Sequence, residues 1–493
     1  MIELKLEPFL VGFEYDIYSL VKAFYPEQEI QTMFIQVNEE ADFVIKIEGE
    51  QGINGGEFVI TWKNRLEEIE EKTEVKISDP EQRTDRKEIK NCLKKGVYQL
   101  LSDKTKKILP WGTLTGIRPT KIPYAMLEEG KREDEISDFM KSTYLMTEEK
   151  IRLSIEVAER ERNLLKDLDY QSGYSIYIGI PFCPTRCLYC SFPSYPIQSW
   201  KKRVDQYLEA LFQEMEAVSK MEWIGKKPIH SVYFGGGTPT TLTPEQLERL
   251  LLKLKDTFDW KGALEFTVEA GRPDSITQEK LMVLKKYGVE RISVNPQTMN
   301  QKTLDLIGRQ HTVEQIKEAF WMARDCGFEN INMDVIIGLP GETKEDMEYT
   351  MKELTKLKPD SITVHSLALK RASRLNEKRE QYADYISLND QEINKMTQQY
   401  AKGIGLEPYY LYRQKNMTGN LENLGYAAQG KEGIYNILIM EEKQTIVACG
   451  AGSVSKRVYP DGRIERCENV KDVASFIERI DEMIERKRKL LED

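Results

Sequence analysis

Cysteine and histidine are both scarce in this chain, with seven cysteines and three histidines among 493 residues. An odd, scattered set of cysteines argues against a disulfide framework. No run of about 18 apolar residues occurs, so no membrane-spanning helix is expected. Excess positive charge is also lacking: the formal net charge is −10 and the pI is about 5.4. That balance argues against a general nucleic-acid binder and leaves room only for a local basic pocket. The opening MIELKLEPFLVGFEYD carries acids early and lacks a basic-then-apolar leader. A cytoplasmic protein is the expectation. No internal repeat or low-complexity segment stands out. What remains is an ordinary globular composition, 40% hydrophobic and 31% charged, at a length that suits two to four domains.

Three of the seven cysteines are nevertheless concentrated. Cys183, Cys187 and Cys190 fall within YIGIPFCPTRCLYCSF, spaced C-x3-C-x2-C directly after an alternating run that reads as a strand. Three thiolates from one short loop suit a soft metal centre. A zinc knuckle would need a fourth ligand, and none of His230, His311 and His365 lies near in sequence. A four-iron cluster held by three thiolates leaves one iron open for chemistry, so iron–sulfur is the preferred reading. Tyr189 sits where an aromatic ring packs on a ligand, walls off a cluster or fills a core. Cys92, Cys326, Cys449 and Cys467 read as buried or incidental thiols.

The pattern divides the chain into three. Residues 1–168 mix helices with a hairpin, ADFVIKIEGE and GEFVITWKN, as an α+β accessory domain. Residues 169–372 alternate strands with helices. Six strand-like runs recur (YSIYIGIP, IHSVYFGGG, LEFTVEAG, RISVNPQ, INMDVIIGLP and SITVHSLA). Thr243 to Gln246 and Thr312 to Gln315 are capping boxes, and Gly288 and Gly327 sit where helices should end. Repeated βα units imply a parallel sheet with right-handed crossovers, and six units make a partial rather than a closed barrel. Residues 373–493 read as a mixed substrate-covering domain. There ILIMEEKQTIVACGAGSVSKRVYPDGRIERCENV suggests short strands, and DVASFIERIDEMIERKRKLLED a terminal helix.

Further candidates lie at the strand ends. Gly235, Gly236, Gly237 and Thr238 form a loop whose backbone can approach a ligand closely, without the Gly-Lys-Ser/Thr of a phosphate loop. Glu269, Asn295, Gln297, Asp334 and Ala368 end or follow strands, and Arg309 comes between. Polar groups at the C-terminal strand ends point to a shared cavity. Arg309 is expected to pair with Glu269 or Asp334, as a site element or as a structural ion pair.

The C-x3-C-x-aromatic-C pattern after a first barrel strand resembles the radical S-adenosylmethionine (SAM) superfamily. The fuller YIGIPFCPTRCLYC is similar to the opening motif of the HemN/HemZ-type, oxygen-independent coproporphyrinogen III dehydrogenases, and the long N-terminal extension resembles the HemZ-type branch. The resemblance spans about residues 174–460. It implies an α/β fold with a partial (β/α)6 barrel of the radical SAM type and a [4Fe–4S] cluster on Cys183, Cys187 and Cys190. Catalysis is implied for those cysteines and Tyr177. It implies one SAM, or two: Tyr177, Gly236, Glu269 and Val454 match the first site, and Tyr189, Gly237, Thr238, Gln297, Arg309, Asp334 and Ala368 the second. The implied enzyme is an oxidoreductase of heme biosynthesis that converts two propionates of coproporphyrinogen III to vinyl groups, giving protoporphyrinogen IX. Its implied partners are a tetrapyrrole substrate and an electron donor such as flavodoxin or ferredoxin, with a monomer as the expected state. Rivals are a heme-binding chaperone, a radical SAM methylase or heme-modifying enzyme, and a zinc-stabilised binding protein.

The chain departs from the dehydrogenase pattern at Gly179, where that family has histidine, and at Phe192, where it has a fourth cysteine. It also lacks the chaperones' His-Asn…Tyr-Trp motif in RQKNMTGNLENLGYA. Gly425, Tyr426, Gln429, Gly430 and the Gly450–Ser455 loop resemble the dehydrogenase's C-terminal domain. Arg118, Lys121, Lys370, Arg371, Arg413 and Lys415 are candidate partners for substrate propionates.

Overall fold

A computed structural model describes residues 1–33, 42–49, 56–77, 81, 83, 85–116, 118–368, 370, 372–378, 382, 391–414 and 421–492. By internal contacts the chain forms two compact units: Met1–Glu159 with Arg413–Leu421, and Arg160–Tyr412 with Glu422–Asp493.

The first unit opens β1 (Ile2–Leu6), α1 (Glu14–Phe24), β2 (Ile30–Met33), β3 (Phe43–Gly49), β4 (Glu57–Asn64), β5 (Ile69–Lys76) and α2 (Arg86–Thr105). The five strands make one sheet in the order β2-β1-β3-β4-β5. β3 and β4 are the antiparallel hairpin read from the sequence. The strand β5 was not read, because IEEKTEVK presents almost no apolar side and lies largely exposed. The other strands each bury apolar residues, and Leu4, Ile45, Ile47 and Ile60 pack with Ile17, Leu20, Leu93 and Val97 of α1 and α2. Asp85 caps α2 by accepting the Lys87 amide at 2.7 Å. Then follow α3 (Lys121–Glu128), α4 (Glu133–Tyr144) and α5 (Glu148–Leu165), the last ending within the second unit.

The second unit continues with β6 (Tyr174–Ile180), β7 (Phe182–Cys183), β8 (Tyr195–Pro196), α6 (Ile197–Trp200), α7 (Val204–Ser219), α8 (Glu222–Gly225), β9 (Ile229–Gly236) and α9 (Pro244–Thr257). Next come β10 (Glu265–Glu269), α10 (Gln278–Lys286), β11 (Arg291–Ser293), α11 (Gln301–Leu306), α12 (Val313–Asp325), β12 (Asn330–Ile337), α13 (Lys344–Leu357) and β13 (Ser361–Ser366). The chain ends with α14 (Arg374–Glu377), α15 (Gln391–Gly403), β14 (Glu407–Tyr412), β15 (Asn423–Ala427), α16 (Ile434–Glu441), β16 (Thr445–Cys449), β17 (Val454–Val458), β18 (Ile464–Glu468), α17 (Val473–Glu478) and α18 (Ile480–Glu492).

The six expected strands β6 and β9–β13 are parallel neighbours, each followed by helix, as a partial (β/α)6 barrel requires. Both capping boxes form, at the starts of α9 and α12. Gly288 and Gly327 take left-handed φ just beyond α10 and α12. The barrel does not close. Its sheet runs β14-β15-β13-β12-β11-β10-β9-β6-β16-β17-β18, so strands from beyond residue 373 extend both of its ends.

Two local readings are corrected. The run ILIM lies in α16, not a strand: Tyr435, Ile437, Leu438 and Glu441 are buried at helical spacing, and Glu442 ends the helix in the left-handed region. A short apolar run is ambiguous between strand and buried helix, and here the helical face decides. The terminal helix is two, α17 and α18, separated at Arg479. Lys487 of α18 is fully buried and bonds Glu214 of α7, also fully buried, with Asn469 Oδ1 2.6 Å from its Nζ. The other Glu214 oxygen accepts the Gly450 amide at 2.7 Å.

Candidate active site

Along the six barrel strands the sheet has two chemically distinct faces. Ile176, Ile178, Val232, Phe234, Phe266, Val268, Ile292, Ile331, Met333, Ile362 and Val364 alternate as a buried apolar set. The intervening residues are Tyr177, Tyr233, Glu265, Thr267, Glu269, Arg291, Ser293, Asn332, Asp334, Ser361, Thr363 and His365. Period-two alternation therefore lines one face with polar groups. They bond to each other: Tyr233 donates to Glu269 Oε1 at 2.6 Å, Arg291 to Ser361 Oγ at 3.0 Å, and Asn332 Nδ2 to Asp334 Oδ1 at 2.7 Å. His365 Nε2 lies 3.7 Å from Asp334 Oδ2.

The cysteine loop leaves the end of β6. It is tied down by Leu188, whose amide donates to Ile307 O (2.9 Å) and whose carbonyl accepts the Leu375 amide (2.9 Å). Leu188 packs with Ile307, Ile336, Leu339, Leu367 and Leu375, with Tyr189 against this cluster. Cys183 Sγ is 3.5 Å from Thr238 Oγ1, and Arg272 Nη1 reaches Cys187 Sγ at 3.5 Å. Arg272 is 4% exposed, bidentate to Asp274, and also bonds Thr185. Burial pushes the Cys183 thiol up and the Cys190 thiol up to about 11. Buried thiols of this kind give up their protons when a metal supplies the opposing charge. Among the described residues no three His, Cys, Asp or Glu side chains are drawn together as a single ion requires. A cube takes each thiolate on its own iron, so its ligands need not converge on one point. Three thiols with a guanidinium and a hydroxyl beside them suit a [4Fe–4S] cluster; Cys183, Cys187 and Cys190 are the residues that would hold it.

The glycine loop follows β9. Gly237 donates to Ile180 O and Thr238 to Phe182 O, both at 2.7 Å, so it is laid along the start of the cysteine loop. A Cβ on Gly237 would stand 2.4 Å from Phe182 O, a backbone atom, so no larger residue fits without moving that strand. Gly236 has φ +108° beside Ile180.

Glu269 ends β10 on the polar face of the strands. Burial raises its carboxyl to about 7, the Tyr233 hydrogen bond lowers it, Asp334 raises it and Arg291 lowers it. Asp334 behaves otherwise: burial would raise it, but bonds from His365, Asn332 and Thr363 outweigh burial and hold it below its ordinary value. Gln297 lies beyond β11 with φ +68°, a left-handed conformation costly for a non-glycine residue. Its backbone hooks on either side of Val335, donating to Asp334 O (2.9 Å) and accepting from Ile336 N (3.0 Å).

Arg309 bonds neither expected carboxylate. Nη1 donates to Tyr189 OH at 3.1 Å, and Nη2 to Gly271 O at 3.0 Å and Asn295 O at 2.6 Å. It is 3% exposed and thus clamps three strand-end loops rather than neutralising a side chain. Tyr177 lies on the polar face with its ring 6.1 Å from Tyr233 and 6.2 Å from Tyr435. Ala368 lies two residues past β13. Val454 stands apart from the others: it opens β17, two strands from β6, and is 40% exposed.

Of the candidate propionate partners, Arg413 is committed to Leu114 O at 2.6 Å in the first unit. Lys370 Nζ lies 5.8 Å from the Phe192 ring centroid. Arg371 and Lys415 lie outside the described residues. Sequence reasoning missed Tyr233, Arg272, His365 and Tyr435. Alternation with Gly235 would have placed Tyr233, but no local signal marks Tyr435, which arrives from α16 and stacks on Tyr233 at 4.4 Å.

Comparison with known proteins completes the assignment. The sequence profile described as the Radical SAM superfamily matches residues 177–354. The chain is 44% identical over 414 residues to the oxygen-independent coproporphyrinogen-III oxidase-like protein HemZ of Bacillus subtilis (strain 168), covering 82% of each. It is 41% identical over 194 residues to the heme chaperone HemW of the same organism, covering 39% of this chain and 50% of that one. Coproporphyrinogen III oxidase (HemN) from Escherichia coli, a radical SAM enzyme, superposes with a TM-score of 0.52 at 22% identity, covering 66% of this chain and 73% of that one. A cysteine loop at the first strand of an open α/β barrel and a match along most of a relative's length lead to one conclusion: the chain belongs to the radical SAM superfamily, with the HemZ-type coproporphyrinogen-III oxidase-like proteins.

Proposed function

We propose that this protein oxidatively decarboxylates coproporphyrinogen III, converting two propionates to vinyl groups and yielding protoporphyrinogen IX without oxygen. The observation that carries the cofactor half of the reading is a buried carboxyl among the polar groups that line one face of the barrel strands. Burial is the main reason that Glu269 is pushed up to about 7, against the lowering pull of the Tyr233 bond and Arg291, so a further positive charge beside it would favour its ionised form. A ligand bearing a sulfonium and an ammonium supplies that charge. When bound, a reduced [4Fe–4S] cluster and SAM furnish a carbon radical able to take a hydrogen atom from a propionate side chain.

The chain's own residues bind and orient. Gly236 and Gly237 let backbone approach the amino acid end of the cofactor, and Glu269 faces its cationic end. Tyr177 packs a ring against the first SAM. Tyr189, Thr238, Gln297, Arg309, Asp334 and Ala368 are proposed for a second SAM, with Arg309 holding the Tyr189 hydroxyl in place. Val454, exposed at the sheet's far side, has the least structural support among these assignments. The apolar plug around Leu188 excludes water from behind the loop, as radical chemistry requires.

The substrate half rests on the HemZ relationship. The heme-chaperone reading has one observation in its favour, the 41% identity to HemW across 194 residues. Anaerobic incubation of reconstituted protein with coproporphyrinogen III, SAM and a reductant decides between them. Mono- and divinyl products by mass spectrometry are expected. Stoichiometric retention of heme in a parallel titration, with an untouched porphyrinogen in the incubation, would establish the chaperone instead, and S-adenosylhomocysteine among the products would indicate methyl transfer.

A further inference from the structure

One stretch of the chain runs against the overall charge. From Pro181 to Val204 there is no Asp or Glu, while Arg186, Lys201, Lys202 and Arg203 supply four bases, in a chain whose net charge is −10. This stretch is the cysteine loop and its return. Pairing of β7 with β8 lays Tyr195 and Pro196 beside Phe182 and Cys183, and the Arg203 guanidinium covers the Trp200 ring at 5.2 Å. Folding adds two further bases. Lys370 lies over Phe192, its Nζ 5.8 Å from the ring centroid. Lys471 sits against Gly452, next to Pro193. Among the described residues, an acid bonded to the loop is Asp472, which accepts from the Tyr195 hydroxyl at 3.3 Å and caps α17.

On this same loop, beside Lys370, an aromatic ring faces solvent. Phe192, two residues beyond Cys190, is 62% exposed, whereas Cys187 is buried. Aromatic residues are enriched at the centres of protein interfaces, within a polar rim. A reducible centre enclosed on its inner side by the Leu188 cluster is approached from this outer side.

We infer that the outer side of the cysteine loop is the docking surface for a small acidic one-electron carrier protein, with Phe192 as its apolar contact and Lys201, Lys202, Arg203, Lys370 and Lys471 as its steering charge. The inference rests on the reading that the loop holds a redox-active cluster. In the step served, the reduced carrier loses one electron and the cluster gains it, with no atom transferred. Charge complementarity of this kind acts on the rate of encounter, and redox encounters need little buried area.

The test uses anaerobically reconstituted full-length protein and a flavodoxin photoreduced to its hydroquinone. Cluster reduction is followed by loss of absorbance at about 400 nm in a stopped-flow cell. The variant K201E/K202E is expected to be reduced about 10-fold more slowly at low ionic strength, and the gap should close at high salt. Phe192→Ala should slow reduction at both salt levels. K226E/K261E reverses two bases in the loops preceding β9 and β10, at the opposite ends of the strands, and should behave as wild type. The neutral 5-deazaflavin radical should reduce every variant alike. Equal flavodoxin rates for wild type and K201E/K202E would overturn the docking surface. So would a parallel slowing with the deazaflavin, which would place the defect at the cluster. Wild-type protein with no absorbance at about 400 nm overturns the cluster reading, and this inference with it.

Discussion

Replacing Glu269 by glutamine isolates the charge that the barrel interior has to tolerate. The carboxyl is raised from an ordinary value of 4.5 to about 7, chiefly by burial. The folded protein therefore holds a proton on Glu269 across a range where the unfolded chain has released it. The stability this confers is complete below pH 4.5 and is lost as pH rises through about 7. The shift is worth about 2–3 kcal/mol, allowing for screening by cavity water. Glutamine keeps the shape and the acceptor for Tyr233 but never ionises. Thermal unfolding of SAM-free wild type and Glu269→Gln should therefore give similar midpoints at about pH 5 and a variant about 3–4 °C more stable at about pH 8. Parallel curves across that range would refute the reasoning, because they would mean that the charge is already compensated. A second arm tests the proposed ligand. SAM added at the higher pH should raise the wild-type midpoint by restoring a counter-charge, and should leave the variant nearly unmoved.

Lys487→Met strands the buried Glu214 carboxylate without its cation, a loss of about 3–5 kcal/mol. The midpoint should fall by about 5 °C in differential scanning fluorimetry, with partial recovery in the double variant E214Q/K487M. Gly237→Ala forces a Cβ to within 2.4 Å of Phe182 O. SAM affinity by equilibrium dialysis, normalised to iron content because β7 carries Cys183, should drop about tenfold, equivalent to 1.4 kcal/mol.

The strands of the barrel could be read because they carry two signals at once, an apolar set every second residue and a glycine, proline or polar residue where each strand stops. Thr243 and Thr312 announce their helices equally plainly, since a capping box is a local hydrogen-bond exchange. The cysteines are legible for the same reason: their spacing is local. What escaped depends on partners distant in sequence. Arg309 looked like a counter-ion for Glu269 or Asp334, yet it binds backbone carbonyls that only the folded loops bring to it. Arg272 looked unremarkable after the third strand, and only folding places its guanidinium at Cys187, 85 residues earlier. The strand β5 and the helix α16 were missed or misread because one is apolar on almost no side and the other is apolar enough for either state.

The pairing of β6 with β16 sets Tyr174 beside Thr445, and β15 reaches back to cover β13. Both flanks of the barrel are thus finished by a stretch of polypeptide that comes later in the chain than its own six strands. Until it emerges, a nascent barrel displays two bare hydrogen-bonding edges, the surface from which strand-to-strand aggregation begins. Productive folding therefore hinges on how long those edges wait, so the yield of this protein is decided by synthesis rate and chaperone shielding as much as by its final stability.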